Sequence, residues 1–405
     1  MVTIILLILL MVSNPTAMVL SGIGIVKNPT HSTRYAIVLA TTLSVLAYNY
    51  IPTGHSDLVR YFAQLEYYRK IGFIQAINIS DALFVKNILF WIISKINMPG
   101  LLPALSVGLV YGVSFYITSD YALRNNKKKY IWVVILIQFL CLNFVNIANN
   151  IRNVIAFSLI ALAAYRDLEK KKVDIITVLL YFLPCFIHKI AFVMILLRLL
   201  LLITRKRIII PALATLLIPE LVNIAFKYRS FFSNFGSIGR IISDAILTAY
   251  RATISTSDWA VTVMSSKYHL LDRYLTMLIC IAFIIILIAM VKQQKTKLIF
   301  NFFGFVCLLT IACNVFRTPA YWRFFTVAVC LGGPVMVEMI SEKQLRKVKP
   351  IYLQAVLMLF SCILFSLHLY GGRQDISILN LFANSVLNPL GIITISFFSE
   401  LIGIL

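Results

Sequence analysis

Along this chain the polar positions come in short clusters and the apolar ones in long runs. Residues 131–142, 191–203 and 275–291 are apolar almost throughout. Such runs exceed what a core strand needs, and several extend to the roughly 20 residues with which a helix crosses a bilayer. The pattern predicts an all-α polytopic membrane protein, a single integral domain over residues 1–405. Spans are expected near 2–26, 35–51, 101–123, 130–148, 152–168, 173–187, 189–204, 208–225, 271–291, 298–316, 322–340, 351–370 and 384–404, about 13 in all.

The polar clusters assign the sides. Stretches 27–34, 120–130, 165–174, 204–207, 292–297 and 341–349 total 48 residues and hold 20 Lys and Arg. The two long non-spanning stretches, 52–99 and 226–273, total 96 residues but hold only 11. The basic density differs about fourfold, and the positive-inside rule places the short loops in the cytoplasm and the long ones outside. Lys27 is the first charge and no basic segment precedes the first apolar run, so a retained span is expected there, not a cleaved leader. The apolar piece Phe84–Ile96 would reverse every later loop if it crossed. It is expected to lie along the outer membrane–water interface, with Phe90 and Trp91 as interfacial aromatics. No internal repeat divides the spans into halves.

Composition agrees: 60% of residues are hydrophobic and 13% charged, against roughly a quarter charged in soluble domains, which excludes a water-soluble enzyme. The net charge of +22 sits in short loops and does not mark a nucleic-acid binder. The seven cysteines lie in or beside apolar segments without a CxxC pair, and read as small hydrophobes, not as disulfides or zinc ligands. With no nucleotide loop and no metal-ligand spacing, neither a cofactor nor a metal is expected.

The remaining chemistry gathers on the outer side. After Pro52 and Gly54, Ser56 reads as the N-cap of a helix in which Leu58, Tyr61, Phe62, Leu65 and Tyr68 share one face, with Asp57, Arg60 and Gln64 on the other. Asp57 is then either a base at the membrane surface or simply the partner of Arg60. Arg152, among Asn149, Asn150 and Asn153, opens a span where a cation is rarely placed without a partner; the alternative is a snorkelling arginine. The tight turn around Pro184 sets His188 and Lys189 at the same level, where a histidine serves as structure or as catalyst. Arg317 and Arg323 flank a short outer loop beside Tyr321 and Trp322. The aromatics read as an interfacial belt, and the arginines, against the positive-inside trend, as anion ligands. In the long loop, Tyr228, Arg229, Arg240, Tyr250, Arg251, Trp259, His269 and Arg273 suit sugar stacking with phosphate contact. Arg198 reads as a snorkelling residue with no role.

These segments resemble the EpsG-like family of bacterial polysaccharide polymerases, including Wzy-type O-antigen and capsule polymerases. The resemblance is carried by Gly54-His-Ser-Asp-Leu-Val-Arg-Tyr, Ile151-Arg-Asn-Val-Ile-Ala, Phe186-Ile-His-Lys-Ile-Ala and Tyr321-Trp-Arg-Phe-Phe, in the family's order. Asn153 stands where the family usually has Gln. The resemblance implies a GT-C-like architecture with interfacial helices in the first outer loop, and an inverting glycosyltransferase at the periplasmic face of the bacterial inner membrane. Its substrate would be an undecaprenyl-diphosphate-linked oligosaccharide, with a chain-length regulator as a protein partner. Asp57 is then the first choice of base and His188 the second, with Arg60, Arg152, Arg317, Arg323 and Arg251 on diphosphate or sugar. An O-antigen ligase-like transferase, a lipid-linked oligosaccharide flippase and an O-acyltransferase are the competing readings.

Overall fold

The computed structural model describes residues 14–48, 50, 52, 56–79, 83–203, 209–236, 239, 243–244, 246–247, 250, 266–291, 297–341 and 350–371. They form helices and connecting turns, with no strand among them. Among the described residues, five helices are long and apolar enough to cross a membrane: α6 (Leu101–Arg124), α14 (Lys267–Val291, apolar to Met290), α15 (Leu298–Val315), α16 (Tyr321–Ser341) and, from Ile351, α17 (Pro350–Gly371). The protein is therefore an all-α membrane-embedded chain.

Helix α6 is central, and its small residues explain why. It packs on α2 (Ser32–Tyr48), α9 (Ile151–Ala164) and α16. A Cβ added at Gly108 would lie 2.9 Å from the Ser44 side chain, so only glycine lets α2 and α6 approach this closely. Ser44 donates to the Ala104 carbonyl at 2.7 Å, and Ser106 to that of Ile147 at 2.7 Å. Both hydroxyls satisfy themselves on backbone, as an apolar surrounding requires. Thr118 and Gln138 form a second buried link: the hydroxyl donates to Oε1 at 2.8 Å while Nε2 donates to the Val329 carbonyl at 2.9 Å.

The most apolar stretch of α16 is 94% buried within the bundle, that of α17 only 22%. The outward residues of α17, among them Ile351, Val356, Leu359 and Ile363, are exposed and apolar. Such a surface is stable against lipid and not against water. Six cysteines are buried and Cys362 is exposed, all of them as thiols, in agreement with their reading as small hydrophobes.

Several expected spans take a different form. The run at 130–148 is broken into α7 (Ile131–Cys141) and α8 (Phe144–Asn149) by Asn143, whose side chain caps α8 by accepting from the Asn146 N–H at 3.0 Å. Helices α10 (Ile175–Phe182) and α11 (Phe192–Ile203) have 8 and 12 residues; at 1.5 Å per residue neither alone crosses a hydrocarbon layer about 30 Å thick. Short 3₁₀ turns at Leu183–Phe186 and Lys189–Ala191 join them, so apolarity here is shared among pieces. The first span is described only as α1 (Asn14–Lys27), and 384–404 lies outside the described residues. In the long loop, residues from Lys267 onward, including His269 and Arg273, belong to α14 instead.

One end of the bundle is closed by ion pairs among the loops and helix termini around Lys297. Glu338 pairs with Lys127 and accepts from the Tyr121 hydroxyl at 2.6 Å. Lys297 reaches Glu169 at 3.0 Å and Lys170 reaches Asp120 at 2.9 Å. Arg166 binds Asp174 at 2.8 Å. Arg198 is not a free snorkelling residue: its Nε meets Asp167 at 2.5 Å. These pairs lock the ends of α6, α9, α15 and α16 together, and every carboxylate named here has its cation.

Candidate functional site

The opposite end has the reverse character. Helix α3 (Asp57–Lys70) begins at Asp57 and lies on α5 (Phe84–Ile96). Leu58, Tyr61, Leu65 and Tyr68 are buried while Arg60 and Gln64 are exposed, the face division that the 3.6-residue period predicts. Tyr61 meets Phe90 edge-on at 5.5 Å, and Tyr68 donates to Asn87 Oδ1 at 2.7 Å. Ser56 stands at the N-cap position, yet its hydroxyl makes no cap bond. Asp57 and Arg60 form an ion pair, with the guanidinium mostly in the open.

Arg152 sits in the first turn of α9, where its Nε donates to the Tyr61 hydroxyl at 3.1 Å and its guanidinium lies 5.5 Å from the centre of the Tyr61 ring. Beside it, Asn149 donates to the Tyr50 hydroxyl at 2.8 Å, while the side-chain oxygens of Asn149 and Asn153 are buried without a partner among the described residues. Arg323, in the first turn of α16, completes the group. It lies within electrostatic reach of Tyr61, Arg152 and Asp57, and its buried Nε and Nη1 have no partner among the described residues. The edge contact of Phe157 with Phe324, 5.6 Å between centres, holds α9 and α16 in this register.

His188 faces the same place from the turn between α10 and α11. Its ring lies 6.3 Å from that of Phe157, and its Nδ1 accepts from the Ile190 N–H at 3.2 Å. Burial, with Arg323 and then Arg152 adding repulsion, pushes the imidazole well below its usual range. It is therefore neutral at pH 7 with its proton on Nε2, since Nδ1 is an acceptor. In this state it is a hydrogen-bond donor, which leaves Asp57 as the carboxylate able to take a proton. Burial raises the Tyr61 phenol, opposed by Arg152, so Tyr61 stays protonated.

The depressed imidazole makes stability depend on acid. Only the unfolded chain binds this proton as the pH falls below about 6.5. The stability present above that value is lost progressively as pH drops towards the lowered folded pKa. Wild-type protein should lose more melting temperature between pH 7 and pH 5 than His188→Gln; equal losses would show that His188 is not buried neutral.

The expected site residues thus divide. Asp57, Arg60, Arg152, His188 and Arg323 come together. Arg317 is exposed on a turn with positive φ and faces Arg273 instead. Arg251 lies outside the described residues. Reading the sequence missed two contributors: Tyr61, taken for a plain apolar-stripe residue although its hydroxyl receives Arg152, and Tyr321, taken for a belt residue although its hydroxyl donates to Asp272. The signal for the second was Asp272 at the start of an apolar helix, where a carboxylate needs a donor.

Three arginines stand here against one carboxylate, itself already paired with Arg60. The site is thus cationic, with guanidinium forks suited to phosphate oxygens and one acceptor for a hydroxyl proton. Among the described residues no three His, Cys, Asp or Glu side chains come together as a metal-holding group. No family model matches the chain, nor does any curated protein or solved structure.

Proposed function

We propose that this chain is a polysaccharide polymerase of the EpsG-like, Wzy type. It transfers a growing glycan from undecaprenyl diphosphate to the terminal hydroxyl of an incoming lipid-linked repeat unit, at the periplasmic face of the bacterial inner membrane. The observation that carries this reading is Arg323: a buried guanidinium with two nitrogens unpartnered among the described residues, beside Arg152 and Asp57. A bundle that neutralises its carboxylates at the Lys297 end and leaves a cation unanswered here is built to receive an anion.

In the reaction the acceptor oxygen bonds to the anomeric carbon as the bond from that carbon to the diphosphate breaks. The diphosphate leaves with the electron pair, and the acceptor proton passes to Asp57. Arg152 and Arg323 meet the charge growing on the diphosphate, and His188 donates from Nε2. One displacement inverts the anomeric centre. The reading includes about 13 spans, the broken helices among them, with α3 and α5 lying along the interface in a GT-C-like arrangement. A flippase would place its charges near the midplane between repeats, whereas this group lies at a bundle end. An O-antigen ligase would share the donor site and differ in its acceptor.

Asp57→Asn tests the assignment, because it keeps a hydrogen-bonding partner for Arg60 and removes the base. A strain lacking the chain and restored with this variant should make lipopolysaccharide carrying one repeat unit on its core, with the long ladder reduced about 10²- to 10⁴-fold. A full ladder removes Asp57 from the role. Loss of every repeat-bearing band in the strain without the chain points to a flippase or ligase.

A further inference from the structure

We propose that the chain holds a second diphosphate seat, formed by Arg273 and Arg317 on the other side of the start of α16, and that it takes the diphosphate of the second lipid-linked substrate. This rests on the function proposed above, in which donor and acceptor each carry a polyprenyl diphosphate.

Tyr321 and Arg323 are two residues apart on α16, about 200° around the helix, and they serve different neighbours. Arg323 turns towards α3 and α9. Tyr321, buried, donates its hydroxyl to Asp272 on α14. The other oxygen of that carboxylate lies 3.0 Å from His368 Nε2 on α17. Asp272 is thereby committed to Tyr321 and His368, and among the described residues no ion pair joins it to the adjacent Arg273. Arg273 is only 7% exposed. One of its terminal nitrogens donates to the Asn314 carbonyl, but its Nε is buried without a partner among the described residues. The Asn314 side-chain oxygen is likewise unpartnered. The charged group facing Arg273 is Arg317, a second cation.

The loop geometry delivers that second cation deliberately. Arg317 adopts φ of 54°, and the turn is closed by its N–H to the Asn314 carbonyl at 3.1 Å and by the Thr318 N–H to the Cys313 carbonyl at 2.9 Å. A left-handed backbone is unfavourable for a residue with a Cβ, and here it holds Arg317 exposed within electrostatic reach of Arg273. Two guanidinium groups, one buried with an unused donor and the other at the rim, form a seat for a divalent or trivalent anion and repel each other without one. The first turn of α16 thus separates two cationic seats, matching a reaction whose two substrates each bring one diphosphate.

The test counts bound ligand on the full chain in nanodiscs of neutral phosphatidylcholine, with undecaprenyl diphosphate as the probe and native mass spectrometry as the readout. Wild type should bind two molecules. Arg273→Ala should bind one, at the Arg323 seat, and Arg323→Ala one, at the Arg273 seat. Arg317→Asn keeps a residue that tolerates positive φ, leaves the core untouched, and should weaken the second binding event about tenfold. A single molecule on wild type, two of unchanged affinity on Arg317→Asn, or displacement of the Arg273-dependent molecule by phosphatidylglycerol would overturn the second seat. So would inorganic pyrophosphate bound there as tightly as the lipid, because the seat would then serve a free anion. Two molecules bound by a chain that fails to extend glycans would sink the proposed function and leave this seat standing.

Discussion

Arg323→Met is expected to raise the melting temperature of the purified protein while reducing chain extension by at least about a hundredfold. The two effects share one cause. Arg323 has its Nε and Nη1 buried without a partner among the described residues and stands within reach of another cation, Arg152. An unsatisfied buried donor costs on the order of 1 to 3 kcal/mol, more when charged. Methionine follows the arginine stem in length and shape and carries no charge to desolvate, so the fold gains what the buried, unpaired charge was costing. The diphosphate loses its buried donor at the same time, and removing one such donor costs about 10² to 10³ in rate. Melting in detergent and ladder formation in cells check the pair. A lower melting temperature would mean that Arg323 has a stabilising partner in the resting protein, and an intact ladder would remove it from the site.

Glu338→Ala should act the opposite way, with a large loss of stability and no change in the activity of each molecule that remains folded. Glu338 is enclosed at the Lys297 end, where it meets Lys127 and the Tyr121 hydroxyl, and Tyr121 in turn receives Lys297 at 2.9 Å. Removing one partner from an enclosed pair leaves the other charge uncompensated, at about 3 to 5 kcal/mol. The variant should accumulate poorly and melt early. Glu338→Gln, which still accepts from Tyr121, should fall between it and wild type. Activity per folded chain, measured by counting the purified protein, should stay at the wild-type level; a selective loss of activity would make the Lys297 end part of the working site. The two variants together separate an end built for cohesion from an end built for a ligand.

The class of this protein was legible because lipid imposes a one-dimensional code: uninterrupted apolar runs, with charge confined between them. The faces of α3 were legible for the same kind of reason, as the helical period alone puts Tyr61 inward and Arg60 outward. A helix also forms over Phe84–Ile96, the apolar piece set apart from the spans in the sequence. Asp57, Arg152, His188 and Arg323 stood out as ionisable residues at the ends of apolar runs, which is a local signal. Their meeting is not local, since 266 residues separate the first from the last.

The sequence by itself determined the membrane class, the helix-forming stretches and the set of ionisable residues that an apolar setting makes expensive. Only the tertiary structure decided where helices break, as at Asn143, and how partners are shared out. A carboxylate one residue from an arginine, such as Asp272 before Arg273, gives no sign in sequence that it will be spent on a tyrosine and a histidine from two other helices. Helix periodicity fixes which way a side chain points, but which cation is neutralised and which is left waiting depends on helix packing, where residues distant in the chain compete for the same few donors and acceptors.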